Sequence, residues 1–186
     1  MASKSTPISV SRSGLVATCS LLMMTLVINA NASPKCGGSD CPSYSECEKY
    51  THYSLALQNW CDNSTWLIHG LWPDYSSSCY PEYCQNVGWQ NVTGSLEQQM
   101  EIYWNWCANS LGSQQTDWEH EWEKHGTCLR YYYGNDFNQT AFFQQALTLY
   151  HRFMDDGTIT SLCGKPKPNA ECESLCLDLD FNVVPC

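Results

Sequence analysis

The chain reads as an α+β domain held by disulfide bonds, and three observations predict this. Apolar runs of strand length come first, Tyr53 to Trp60 and Trp66 to Trp72, and apolar residues at helical spacing follow, from Ser95 and again from Thr140. The two kinds of segment are not regularly alternated, which separates the chain from α/β folds. Cysteine is abundant, with 13 in 186 residues. Aromatics at 13% and apolar residues at 43% exclude wholesale disorder. Charged residues at 15% and 8 prolines exclude a coiled coil. No apolar run reaches the ~18 residues that a multi-pass membrane protein needs.

Residues 1–32 have the parts of a secretory signal. Lys4 and Arg12 are their only charges, Leu15 to Ile28 is mostly apolar, and Ala30-Asn31-Ala32 supplies a cleavage site. Cleavage after Ala32 leaves residues 33–186 as one domain, with no membrane anchor. Cys19 leaves with the signal, so an even set of cysteines remains, which reads as a framework of up to six bridges.

Residues 36 to 49, with Cys36, Cys41 and Cys47, read as a cysteine-rich loop. The run Tyr53 to Trp60 predicts a strand. The run Trp66 to Trp72 predicts a second, stopped at Pro73-Asp74 because proline cannot continue a central ladder. Residues 74 to 94 read as a long loop. Ser95 and Gln98 predict a capping box, and Leu96, Met100, Tyr103, Trp104, Cys107 and Leu111 carry a helix to a stop at Gly112. Asp117 is expected to cap a short helix that ends near His125 at Gly126. Thr140 is expected to cap another, burying Phe142, Phe143, Ala146, Leu147, Tyr150, Phe153 and Met154. The tail from Ser174 to Val184 predicts a short pair of strands. Sequons at Asn63, Asn91 and Asn138 fit a secreted glycoprotein surface.

Chemistry concentrates in two segments, Trp66-Leu67-Ile68-His69-Gly70-Leu71-Trp72-Pro73-Asp74 and Trp118-Glu119-His120-Glu121-Trp122-Glu123-Lys124-His125-Gly126-Thr127-Cys128. On a helix His120 pairs with Lys124, and Glu121 with His125, at four-residue spacing. By themselves these residues suit a solvated, salt-bridged helix surface as well as a site, and a lone His in an apolar strand such as His69 is more often a satisfied core residue than a catalyst. Zinc is disfavoured: on a regular helix His120 and His125 diverge by about 140°, and Lys124 occupies the ligand position. Two imidazoles, a lysine and a glutamate without metal suit attack of an RNA 2′-hydroxyl on its own phosphodiester. One imidazole takes the 2′-OH proton, another protonates the leaving 5′-oxygen, and the cations answer charge on the non-bridging oxygens.

IHGLWPD and HEWEKHGTC resemble the two active-site signatures of the ribonuclease T2 family, in order and at suitable spacing. The resemblance runs from about Tyr53 to Phe153. It implies a central antiparallel sheet with several packed helices. It also implies a secreted endoribonuclease, lysosomal or vacuolar in some settings, acting as a monomer on single-stranded RNA. The products would be a 2′,3′-cyclic phosphate and then a 3′-phosphate, with no metal or other cofactor. His69 resembles the acid for the leaving oxygen, and His125 the base. Glu121 and Lys124 resemble the pair that stabilises the phosphate, and His120 the histidine that binds it. Trp72, Asp74 and Tyr80 match positions that hold a base in some members. Cys84 and Cys128 match a family bridge.

The chain departs from the family between Met154 and Cys172, where it is shorter, and in the close spacing of Cys172 and Cys176. Only 9 basic residues stand against 19 acidic ones, which excludes a general nucleic-acid coat protein. An acidic optimum, below about pH 6.5, follows from the histidines charging and the carboxylates neutralising. The alternatives are a catalytically impaired binding or storage protein of the same fold, and a zinc hydrolase. The enzymatic reading requires His69 and His125 to face one gap wide enough for a phosphodiester.

Overall fold

The structure, a computed structural model, describes residues 35–37, 50–61, 64–75, 79–107 and 112–186. The expected signal, Asn63, Cys41, Cys47 and Leu111 lie outside the described residues. Strand β1 (Lys35–Gly37) pairs antiparallel with β4 (Tyr80–Glu82), so the ends of two expected loops form a small ribbon. The main sheet centres on β2 (His52–Gln58), which pairs with β3 (Leu67–Asp74) on one side. On the other side β2 meets β5 (Glu171–Cys172) and β6 (Cys176–Leu177), and β6 pairs with β7 (Val183–Val184). Every pairing is antiparallel, and β6 with β7 is the strand pair expected of the tail.

Pro73 does not stop β3. It lies inside the strand, opposite Tyr53, and the strand runs on to Asp74. The reason is topological: β3 is the outermost strand of its sheet, where a missing N–H costs no ladder bond.

Helix α1 (Gly94–Tyr103) begins after Thr93 and ends well before Gly112. The expected capping box is absent because Ser95 already lies within the helix. The apolar spacing beyond Tyr103 serves tertiary contacts instead. The Trp104 indole donates to the His69 carbonyl, the Trp104 carbonyl accepts from the Trp118 indole, and Cys107 is bonded to Cys61.

Helix α2 (Gln114–Glu121) is capped by Ser113, whose hydroxyl accepts from the Thr116 amide, so Asp117 sits in the first turn and not at the cap. Gly126 does not end the helix. A π-helical turn (Trp122–Gly126) joins α2 directly to α3 (Thr127–Tyr133). Gly126 is required there by close packing, since a Cβ would lie 2.4 Å from Trp122 Cε3 and 3.0 Å from Phe142 Cγ.

Helix α4 (Gln139–Asp155) buries Phe142, Phe143, Ala146, Leu147, Tyr150 and Phe153 as its spacing predicts, together with Leu149, while Met154 is half-buried. Its cap is Asn138, one of the stronger capping residues, and not Thr140: Asn138 Oδ1 accepts from the Ala141 amide at 3.0 Å. Helix α5 (Thr158–Cys163) follows. The core joins the α4 face to Tyr53, Leu55 and Leu57 of β2, to Ile68 and Leu71 of β3, and to Trp104, Trp118 and Trp122. Disulfides link Cys61–Cys107, Cys84–Cys128, Cys163–Cys172 and Cys176–Cys186, and Cys79 is also disulfide-bonded. The Cys84–Cys128 bridge is the one the sequence resemblance implied.

Candidate active site

His69 owes its direction to a β-bulge. Ala56 pairs with Gly70 and Leu57 with Ile68, so His69 is the extra residue, with no partner on β2. Strict alternation would set His69 on the same face as Leu71. The extra residue instead keeps Ile68 and Leu71 in the core and sets His69 beside Trp72, their ring centroids 4.8 Å apart. Trp60 at 5.0 Å and Trp106 at 4.7 Å complete an aromatic cage around the ring.

The π-helical turn delivers the other half. It carries Lys124 and His125, and Tyr83 N–H donates to the Lys124 carbonyl while Cys84–Cys128 ties the same loop to α3. The His125 ring stacks on Trp72 at 5.2 Å with an interplanar angle of 28°. Tyr80 lies 6.2 Å from His125, and the Lys124 ammonium lies 5.4 Å from the Tyr80 ring centre. A π-helical turn lies between His120 and His125, so the regular-helix geometry does not apply to their spacing. The two rings are close enough for His120 to lower the proton affinity of His125. Among the described residues no three His, Cys, Asp or Glu side chains are grouped to hold a metal ion.

Trp72 is the hub. Its indole N–H donates to Glu121 Oε2 at 2.8 Å, which satisfies a carboxyl group only 2% exposed. Gly70 makes room for this bond: a Cβ there would lie 2.0 Å from Trp72 Nε1 and 2.3 Å from Glu121 Oε2. His69 and His125 thus both contact the Trp72 indole. Trp72, Lys124, His125, Tyr80 and Asp74 line an open cleft of about 680 Å³, while His69, Glu121 and His120 lie outside its lining.

Burial sets the charge states. It lowers His69 to about 4, helped by the positive fields of His120 and Lys124. It holds His125 well below the ordinary imidazole range, helped by Lys124, His120 and His69. His120 is lowered too, by burial and then Lys124. Burial raises Glu121 to about 8 and outweighs the Trp72 hydrogen bond and Lys124, which pull it down. Asp74 is raised by burial, against a hydrogen bond from Ser54 Oγ at 2.9 Å. Nδ1 of His69 and of His125 is buried without a hydrogen bond, and Glu171 Oε1 stands 3.6 Å from the former.

The remaining cleft wall was not anticipated. His52, Ser54, Glu173, Cys176 and Cys186 contribute to it. The alternation of β2 puts Ser54 on the side opposite Leu55 and so signals its facing, whereas no local pattern marks Glu171 or Glu173.

The profile of the Ribonuclease T2 family matches residues 37–167 of this chain. The chain belongs to the ribonuclease T2 family. Ribonuclease M of Aspergillus phoenicis is 34% identical over 120 residues, covering 55% of this chain and 49% of the relative. Human Ribonuclease T2 is 33% identical over 115 residues, covering 61% and 43%. The chain thus spans at most about half the length of these curated relatives. The solved self-incompatibility associated SF11-RNase of Nicotiana alata shares the fold, with a TM-score of 0.50 at 22% identity over 64% of this chain and 66% of that one. Within the T2 family, then, this chain has an antiparallel sheet, helices and several disulfides.

Proposed function

We propose that the chain is a secreted endoribonuclease that cleaves single-stranded RNA by transphosphorylation, through a 2′,3′-cyclic phosphate to a 3′-phosphate, without metal. One observation carries this reading: the imidazoles of His69 and His125, far apart in sequence, pack on the same indole, with Lys124 beside them. The names of its relatives as ribonucleases support it.

His125, held neutral by burial, is suited to take the 2′-OH proton. His69 gains a proton only as the pH falls toward about 4, and then serves as the acid for the 5′-oxygen. Because Nδ1 is buried in both rings, Nε2 is the nitrogen that exchanges protons. Lys124 answers charge on the non-bridging oxygens, with His120 behind it. Glu121, protonated below about 8, acts here by holding Trp72 and does not repel the phosphate. Trp72, Tyr80 and Asp74 line the cleft and are placed to hold a base there. The roles of His69 and His125 reverse in hydrolysis of the cyclic product. An optimum below about pH 6.5 follows, because the acid is the group short of protons.

The same reading takes residues 33–186 as one domain after removal of a signal, with glycans at Asn63, Asn91 and Asn138. Asn91 and Asn138 are exposed, and both use Oδ1 as an acceptor, which leaves Nδ2 for a sugar. Among the described residues no helix is long and apolar enough to cross a membrane.

A second reading, a ribonuclease-like binding or storage protein, is favoured by one observation. The His69 side chain is only 14% exposed and His125 only 4%. Incubation with RNA at pH 5, with and without EDTA, decides between the two. Cyclic-phosphate products are expected, and RNA left intact both with and without EDTA would leave the binding protein. RNA cleaved without EDTA but left intact in it would instead restore the zinc hydrolase.

A further inference from the structure

The ring of His69 sits among three tryptophans and one carboxylate. Trp60, Trp72 and Trp106 pack on it with centroids 5.0, 4.8 and 4.7 Å away. Its Nδ1 is buried and makes no hydrogen bond. Glu171 Oε1 stands 3.6 Å from that nitrogen, and among the described residues no other carboxylate lies within ion-pair distance of the ring.

The backbone carries Glu171 there. It pairs with Gln58 in β5, on the side of β2 away from β3. The chain is pinned on both sides of it. The Asn59 amide donates to the Ala170 carbonyl at 2.8 Å, the Asn169 amide to the Asn59 carbonyl at 3.0 Å, and Cys172 is bonded to Cys163. The side chain therefore reaches across β2 to the bulge of β3, where His69 has no partner on β2. Glu171 keeps 41% exposure, so its carboxylate stays hydrated while one oxygen meets the buried nitrogen. The charges that act on His69 from α2 and the π-helical turn, His120 and Lys124, are both positive. Glu121 bonds to Trp72 and is protonated below about 8, and Glu173 acts on Glu171.

We propose that Glu171 is a positioning residue for His69: its carboxylate accepts the Nδ1 proton and leaves Nε2 as the nitrogen that trades protons with RNA. This rests on the reading of His69 as the acid of the proposed ribonuclease. An imidazolium has two N–H donors, and a buried Nδ1–H with no acceptor resists charging. Glu171 supplies that acceptor. When Nε2 gives its proton to the 5′-oxygen, His69 is left neutral with its remaining proton on Nδ1, still held by Glu171. That tautomer has Nε2 free to take a proton from water when the cyclic phosphate is hydrolysed. No proton passes to Glu171, so one carboxylate serves both steps. At 3.6 Å the contact is long, as such contacts often are without substrate, and it tightens once the ring is charged.

The pair is read from ¹⁵N spectra of labelled histidine, in which Nδ1 and Nε2 report tautomer and charge, with His69→Phe assigning the ring. In neutral wild-type His69 the proton is expected on Nδ1. Glu171→Gln keeps an acceptor without the charge, so the tautomer should persist while His69 takes up its second proton at lower pH. Glu171→Ala should move the neutral proton to Nε2 and lower the same midpoint. On RNA, Glu171→Ala should lose about tenfold in kcat with KM unchanged, the effect of one buried hydrogen bond, and Glu171→Gln should recover most of it at a lower optimum pH. A His69 tautomer and midpoint that are the same in wild type and Glu171→Ala overturn the proposal, even if Tm falls, because Glu171 would then serve β5 alone. The tautomer change in a chain that leaves RNA intact supports the pair and overturns the ribonuclease reading instead.

Discussion

The strand that carries His69 and the helix that carries His125 break their regular ladders in the same way. β3 holds one residue more than its partner at the bulge, and the helix holds one more per turn at Trp122–Gly126. In each case a glycine follows the histidine and lets a tryptophan close in, Trp72 against Gly70 and Trp122 against Gly126. The outcomes differ. On the strand the crowded tryptophan belongs to the site, and on the helix it belongs to the core. A site of this kind is aimed by irregularities, while the regular segments around it supply rigidity.

The largest expected effect comes from the two rings themselves. His69→Phe and His125→Phe should each lower the rate on RNA about 10³-fold, within the range for loss of a general acid or base. More than a tenth of the activity remaining in either variant would remove that residue from the pair. Next is the tie that holds the helical half. Replacing Cys84 and Cys128 by Ser opens a loop of 44 residues and should cost about 4 kcal/mol by chain entropy, measured by urea unfolding. The glycines then separate the two halves. Gly126→Ala and Gly70→Ala should each cost about 1–3 kcal/mol through overpacking. Gly70→Ala should also change KM or kcat, because it displaces Trp72 from Glu121, whereas Gly126→Ala should act on stability alone. Equal kinetic effects would erase the distinction between the halves.

The smallest effect is a pH dependence. Glu121 is raised from 4.5 to about 8, so the folded protein keeps a proton that the unfolded chain has lost between these values. Its contribution is complete below about 4.5 and is lost as the pH rises toward 8. Glu121→Gln, which still accepts from Trp72, should therefore gain Tm relative to wild type as the pH rises across that window. The histidines act in the opposite sense. They are depressed, so their contribution is present above about 6.5 and fades as the pH falls, and Glu121→Gln should leave that acid limb in place.

The fold was legible where periodicity and burial agree. The α4 face follows from its spacing because one face packs on the core, and β2 follows from its apolar run because nearly all of it is buried. Spacing misled where apolar residues serve distant partners: Trp104 and Cys107 read as helix, yet they reach His69 and Cys61. Pro73 and Gly126 read as stops because their local meaning is a stop, and only the edge position of β3 and the packing of Trp122 change it. The site residues stood out by composition, and the structure brings His69, Glu121 and His125 against Trp72, with Lys124 in the same cleft wall. What composition could not convey was the shared contact of both rings with Trp72, whose indole is held by a hydrogen bond to Glu121, 49 positions away. Glu171 arrives beside His69 on a two-residue strand too short to leave a pattern.

The outer margin of β3 has a consequence for how copies of this chain behave together. An unpaired strand border invites a neighbouring chain to add on, the first step of sheet-driven aggregation. Here the carbonyl of His69 is taken by the Trp104 indole, and Pro73 has no N–H to offer. The proline that does not end the strand thus helps keep the sheet from growing between molecules.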